Sequence, residues 1–286
     1  MANLKEIRSR ISSVSSTMKI TSAMKMVSAA KLKKAQDRMQ GIKPYSSALQ
    51  KSINNLLPSI NPSEITLLSS SCATEKLLII AISSNRGLCG GFNANVFKTG
   101  RQQLKSNTEV FCVGKKTREQ FARTKCNIIA SETDVLDNPT VELCKALSTK
   151  IMNEFKDGKW SEVVLIYNQF KNAATQLIRS EKILPITPDE NIEDIDTKKR
   201  DYTFEPDKTQ IINSLMPQQI HTQLFEAILN SIASEHGARM TAMHKATDNA
   251  QDIKDQLTLT YNRQRQAAIT NEILEIVAGA EALKGS

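Results

Sequence analysis

At 286 residues the chain has room for one large domain or two modest ones. Hydrophobic residues make up 40% and aromatics only 5%, a balance that suits long Ala-, Leu-, Ile- and Met-rich helices and argues against an all-β sandwich. The net charge of +8 is unevenly placed: residues 1–57 set eleven Lys/Arg against Glu6 and Asp37, residues 58–207 balance, and residues 208–286 carry −1. An acidic partner for the first segment is therefore expected: nucleic acid, an anionic membrane surface or an acidic protein. The longest purely apolar stretch, Leu77 to Ile82, is far too short for a bilayer, which needs about 20 residues. The N-terminus alternates charged and apolar residues from Leu4 onward and lacks the apolar core of a signal peptide. The expectation is a soluble protein that reaches a membrane only through a partner. Cys72, Cys89, Cys112, Cys126 and Cys144 contain no CxxC pair, so reduced cytosolic thiols are expected rather than disulfides or zinc.

The first element is a long helix. Leu4, Ile7, Ile11, Val14 and Met18 follow alternating steps of three and four, the period of a coiled-coil seam. The apolar pattern then reads as a phase shift through Ile20, Met24 and Val27 before resuming at Leu32, Ala35, Met39, Ile42, Leu49, Ile53 and Leu56. Pro44 is expected to kink or briefly break this helix, and Pro58 and Pro62 to end it. Between the long termini, Lys76–Ser84, Glu109–Gly114 and Glu162–Phe170 read as strands. Helices are expected between them at about Asn93–Lys105, Lys115–Arg123 and Val141–Asp157. Strands alternating with helices predict a doubly wound, Rossmann-like parallel α/β sheet, with Gln176–Leu184 as a possible edge strand. Pro185–Asp207 reads as a surface loop. In the last eighty residues Ala246, Ala250, Ile253 and Leu257, then Ile269, Ile273, Ile276, Ala280 and Leu283, again keep three-four spacing. About 65 helical residues would span roughly 100 Å, more than a domain of this size buries. The economical arrangement pairs the two termini as an antiparallel coiled coil. The expected partition is 1–57, helix; 58–207, central α/β domain; 208–286, helix.

No catalytic, cofactor-binding or metal-ligating constellation is legible. The turn Arg86-Gly-Leu-Cys-Gly-Gly91 lies between a strand and a helix, where phosphate loops sit. It has neither the Gly-Lys-Ser/Thr ending nor the GxGxxG spacing, so Gly87, Gly90 and Gly91 read as a tight structural turn. His236 and His244 share a helix eight residues apart without an HExxH frame and read as surface or seam residues; His221 is isolated. The basic face of the first helix carries Lys19, Lys25, Lys31, Lys33, Lys34 and Arg38, but no aromatic residue interleaves with it before Tyr45. The Met18, Met24, Met26 stretch fits either adaptable packing or ordinary seam filling.

At the C-terminus, Ile269-Thr-Asn-Glu-Ile-Leu-Glu-Ile-Val-Ala-Gly-Ala280 after Tyr261-Asn-Arg-Gln-Arg-Gln-Ala267 resembles the signature of the γ subunits of F-type ATP synthases. Ser234-Glu-His-Gly-Ala-Arg-Met240, Ala242-Met243 and Asp248-Asn-Ala250 are similar to that family too. So are Ile7–Ile11, Lys19–Val27 and Asn85–Asn93, in family order, whereas residues 110–210 match loosely. The resemblance implies a non-catalytic central rotor without a cofactor. Its coiled coil would sit inside a ring of three α and three β subunits. Its α/β domain would stand beside the ε subunit on the membrane-embedded c-ring. Torque would couple proton translocation to ATP synthesis or hydrolysis. By that analogy Met24, Lys25, Lys31, Lys33, Lys34, Arg239, Arg265, Gln266 and Thr270 face the β subunits. Ile273, Ile276, Val277, Ala280 and Leu283 form an apolar bearing tip. The visible absence of a targeting peptide points to the cytoplasmic face of a bacterial inner membrane, with the mitochondrial matrix side the other option. Two other readings stand beside it: a nucleotide-binding α/β enzyme centred on Gly87–Gly91, and a basic coiled coil that binds nucleic acid with strong salt dependence.

Overall fold

The structure, a computed structural model, describes residues 2–57, 67–68, 75–124, 126–186, 205 and 207–284, with side chains described from 4 to 280 within them. Pro58, Pro62, Cys72 and most of Pro185–Asp207 fall outside the described residues, as does the side chain of Leu283. The chain divides into two compact units, Ala29–Arg239 and Met1–Ser28 with Met240–Ser286.

The larger unit is built on one five-stranded sheet. Its strands are β1 (Leu77–Ile82), β2 (Thr108–Val113), β3 (Asn127–Glu132), β4 (Glu162–Phe170) and β5 (Gln176–Leu184), in the order β3-β2-β1-β4-β5. The first four run parallel, and β5 closes the sheet antiparallel to β4. The connecting helices are α2 (Phe92–Gln103), α3 (Lys115–Phe121), the short α4 (Asp134–Asp137) and α5 (Val141–Lys156). Thr140 caps α5, its hydroxyl accepting from the amide of Leu143. A parallel sheet joined by helices is covered on both faces, which is why β1 is a continuous apolar run. Ile79, Ala81, Val110, Cys112, Val164 and Ile166 pack with Val96 of α2 and Phe121 of α3. The alternate residues Leu78, Ile80, Ile82 and Leu165 are equally buried. The single tryptophan, Trp160, is buried and donates from Nε1 to Glu109 Oε2 at 2.8 Å.

Both long helices contribute to this unit. α1 (Ala2–Leu56) buries Leu32, Ala35, Leu49, Ile53 and Leu56, and α6 (Lys208–Lys284) buries Ile212, Met216, Ile220, Leu224 and Ala227. They run antiparallel here: Lys31 lies near Glu235 and His236, Lys43 and Ser46 lie against Glu226, and Gln219 Nε2 donates to Gln50 Oε1. α1 passes through Pro44 without a break. A proline inside a helix costs about 3 kcal/mol. Here it lies on the exposed face, where the freed carbonyl is open to solvent, and the buried turns on either side hold the helix together.

The second unit is an antiparallel helix pair. Thr21 Oγ1 lies 2.8 Å from Thr247 Oγ1, and Lys25 Nζ lies 3.4 Å from His244 Nδ1. The expected phase shift near Ile20 is corrected. Ile7, Thr21 and Ser28 are buried, Leu4, Ile11, Val14, Met18 and Lys25 are half-buried, and these positions continue one three-four seam. Ile20 and Val27 are 60% and 57% exposed, while Met24 is half-buried. Two polar residues hold seam positions because their hydroxyls have partners: Thr21 also donates toward the Met18 carbonyl, and Ser28 donates to that of Met24. Lys25 faces His244, so stepping back along α1 to Ala2 reaches residue 267 of α6. Beyond that point α6 runs on to Lys284 without a partner helix among the described residues.

Candidate functional site

The glycine turn is filled from within. The side chain of Asn93, in the first turn of α2, accepts from the Ser84 amide at 3.0 Å and donates to Ser84 Oγ at 2.8 Å. Ser84 Oγ in turn donates to the Arg86 carbonyl at 2.6 Å. Gly90 holds φ +58, which glycine adopts without a Cβ penalty, while Leu88 adopts φ 61 with its side chain 64% exposed. In a doubly wound sheet a ligand crevice opens at the carboxyl ends of the strands where the strand order reverses, here between β1 and β4. α6 lies across that place. Ser234 Oγ donates to the Asn168 carbonyl at 3.0 Å, the Phe170 amide donates to Asn230 Oδ1 at 3.3 Å, and a Cβ on Gly237 would stand 3.3 Å from Ala173 Cα. The crevice that a nucleotide would use is occupied by the chain's own helix. The reading of Gly87, Gly90 and Gly91 as a structural turn fits this geometry.

Arg239 is placed otherwise than the family analogy implied. Its side chain is 8% exposed and forms an ion pair of 2.7 Å with Glu235, itself 11% exposed. Nη2 donates to the carbonyls of Arg86 and Gly87 at 3.1 and 3.2 Å, and Nε to that of Gly87 at 3.3 Å. The guanidinium is engaged inside the chain and does not face outward. Burial pushes the Glu235 carboxyl up, and Arg239 pulls it part of the way back. Burial, then the charges of Arg239 and Lys31, push the His236 imidazole down to about 4, so it is neutral at pH 7. His244 is exposed, with Asp248 Oδ2 and Lys25 Nζ each 3.4 Å from its Nδ1. Burial also raises the thiols of Cys112 and Cys144 to about 12, and that of Cys89 upward, which leaves them unreactive.

The remaining expected site residues lie on the helices. On α1, Met24 and Lys25 are half-buried at the seam, and Lys31, Lys33 and Lys34 are exposed. On α6, Arg265, Gln266 and Thr270 are exposed, Thr270 Oγ1 donating to the Gln266 carbonyl at 2.9 Å. The overhanging end bares its apolar side chains: Ile273 is 55% exposed, Ile276 71% and Val277 49%, with Ala280 also exposed. Ile269 and Leu274, at 47% and 60%, belong to the same surface and were not among the expected tip residues.

A family model described as ATP synthase matches residues 3–283. The ATP synthase gamma chain of Flavobacterium psychrophilum is 49% identical over 289 residues, covering all of both chains. That of Chlorobaculum tepidum is 39% identical, covering 99% of this chain and all of its own. The chain belongs to the ATP synthase gamma-chain family. Solved structures share the fold. A chain of the Euglena gracilis mitochondrial ATP synthase, OSCP/F1/c-ring, matches with a TM-score of 0.72 at 20% identity, covering 99% of this chain and 95% of its own. One from the Tetrahymena thermophila mitochondrial ATP synthase central stalk matches with a TM-score of 0.62 at 24% identity, covering 79% and 99%.

Within this gamma-family chain, sequence reasoning missed Glu235, Asn93 and Ser84 as partners of the turn. The Glu235–Arg239 spacing of four on a helix was a visible signal for an ion pair. Nothing local in the sequence joins Arg239 to carbonyls about 150 positions earlier.

Proposed function

We propose that the chain is the non-catalytic central shaft of an F-type ATP synthase. It would transmit torque between a membrane c-ring and the catalytic β subunits, and so couple proton translocation to ATP synthesis or hydrolysis. The observation that carries the reading is the overhang of α6. A single helix with Ile269, Ile273, Leu274, Ile276 and Val277 bared to solvent is a surface that suits enclosure by partner subunits. A ring of three α and three β subunits would supply that sleeve, whereas neither a nucleotide site at Gly87–Gly91 nor nucleic-acid binding by the basic helix accounts for it. Arg265 and Gln266 lie just below the overhang and Thr270 within it, and all three would contact the β subunits. Met24, Lys25, Lys31, Lys33 and Lys34 would meet an acidic β-subunit loop. Exposed ion pairs contribute about 0–1 kcal/mol each, so the lysines act together and none is essential. Arg239 leaves this contact set because it is buried.

Among the described residues no helix is long and apolar enough to cross a membrane. The proposed place is the cytoplasmic face of a bacterial inner membrane, held there through the ε subunit and the c-ring. The test is affinity capture of the tagged chain from its native membranes. Recovery of α, β and ε subunits with MgATPase activity, absent from the chain alone, supports the rotor. Recovery of the chain without them, or with stoichiometric nucleotide or nucleic acid, overturns it.

A further inference from the structure

The turn that follows β1 is held from two sides. On one, Arg239 spreads three hydrogen bonds over the carbonyls of Arg86 and Gly87 while its charge is balanced by Glu235. On the other, Asn85 Nδ2 donates to the Thr133 carbonyl at 3.0 Å and to Asp137 Oδ2 at 3.1 Å, and Asn85 Oδ1 accepts from the Lys115 amide at 3.2 Å. A left-handed, exposed leucine at the apex persists only where its surroundings over-determine the backbone, and Leu88 meets that condition. The guanidinium suits the task because its donors lie in one rigid plane: Nη2 meets both carbonyls and the Glu235 carboxylate, and Nε fixes the plane with a second bond to the Gly87 carbonyl. A seam residue of α6 would need only to be apolar. A buried arginine with its own counter-ion is costly to bury and is unnecessary for packing alone.

We propose that Arg239 is a positioning residue of the rotor: it locks the Asn85–Gly91 turn to α6, so that load applied to the sheet domain passes into the long helix without slack. This rests on the rotor reading above.

The test uses the complete membrane-reconstituted complex. Arg239→Lys keeps the charge opposite Glu235 but lacks the Nε–H that bonds the Gly87 carbonyl and the fixed plane of the guanidinium. Loss of one or two hydrogen bonds should speed hydrogen exchange of the peptide spanning 84–92 about tenfold. Proton pumping per ATP hydrolysed should fall at least about twofold, while hydrolysis itself stays within about twofold of wild type. The paired variant Glu235→Gln with Arg239→Gln removes both buried charges together, so neither is left uncompensated. It should show the same loose turn and the same reduced pumping ratio. A pumping ratio equal to wild type in either variant that assembles overturns the proposal. Should neither variant assemble, the wild-type complex decides: the 84–92 peptide must exchange as slowly as the β1 peptide beside it, and exchange at the rate of a free loop overturns the proposal. A wild-type chain that fails to assemble or to support pumping would instead strike the rotor reading itself.

Discussion

Three glycines of the sheet domain separate backbone strain from crowding. A Cβ on Gly87 meets nothing within 4 Å and its φ is not left-handed, so Gly87→Ala should change stability by less than about 0.5 kcal/mol. Gly90 is equally open but holds φ +58, and an alanine there should cost about 1–2 kcal/mol from conformation alone. Gly114 holds φ +109, and its Cβ would stand 2.7 Å from Ser83 Oγ and 2.8 Å from the Ser83 carbonyl oxygen. The backbone must move, and the surrounding bonds go with it: the Gly114 amide donates to the Glu132 carbonyl at 2.8 Å, and the Thr117 amide to Ser83 Oγ at 3.0 Å. Strain of about 1–3 kcal/mol plus two hydrogen bonds at about 1 kcal/mol each predicts a loss of roughly 3–5 kcal/mol for Gly114→Ala. Urea unfolding followed by the fluorescence of Trp160 reads this domain specifically, since that tryptophan is the only one and is buried within it. If Gly114→Ala costs under about 1 kcal/mol, or no more than Gly90→Ala, the steric reasoning is wrong.

The His236 imidazole is held down to about 4 against an ordinary value near 6.5, so the unfolded chain takes up its proton first. Stability should therefore fall as pH drops from about 6.5 to about 4 and level off below, by about 3 kcal/mol. His221, lowered by burial and Lys145, acts in the same direction, so His236→Gln should flatten the slope of urea midpoints against pH without abolishing it. In the helix pair, Thr21→Val and Thr247→Val should each cost about 0.5–1.5 kcal/mol, and the double variant less than their sum, because it leaves no hydroxyl facing an apolar neighbour. A strictly additive thermal-melt cycle would show that the two hydroxyls do not interact. Ile276→Asp should leave unfolding of the isolated chain within about 0.5 kcal/mol of wild type, because the side chain is 71% exposed. The same variant should sharply reduce recovery of α and β subunits in affinity capture; full recovery would remove the overhang from the interface.

The elements that a sequence reader finds are those whose apolar pattern is decided by one environment. β1 is buried on both faces and shows as an unbroken apolar run, and β4 and β5 were placed at their observed ends. β3 is hidden from a sequence reader because Asn127–Glu132 is an edge strand with four half-buried residues between two exposed ends, so its sequence carries little periodicity. The seam of α1 is obscured for the opposite reason. Thr21 and Ser28 hide two buried positions behind hydroxyls, while Ile20 and Val27 place apolar residues where water reaches them. A hydropathy pattern records the sum of intramolecular and intermolecular burial, and it misleads wherever a chain carries apolar surface for others. Arg239 shows a further limit: its charge and its family position pointed outward, and only tertiary structure reveals that it reaches the carbonyls of Arg86 and Gly87.

The lone end of α6 has a consequence for the order in which things are made. Residues 268–284 have no neighbouring helix among the described residues, and isolated helices near this length are marginal in water. Ile269, Thr270, Ile273, Ile276 and Val277 are β-branched, and Gly279 lowers helix propensity further. In the free chain this end should open and close rapidly, with its amides exchanging within seconds, and become protected only once enclosed. The ring would then act as the mould in which the last turns set, so that a misplaced shaft would be a softer one. Nascent chains would be vulnerable to proteases at their carboxyl end until assembly, which would give the cell a means of clearing shafts that never found a motor.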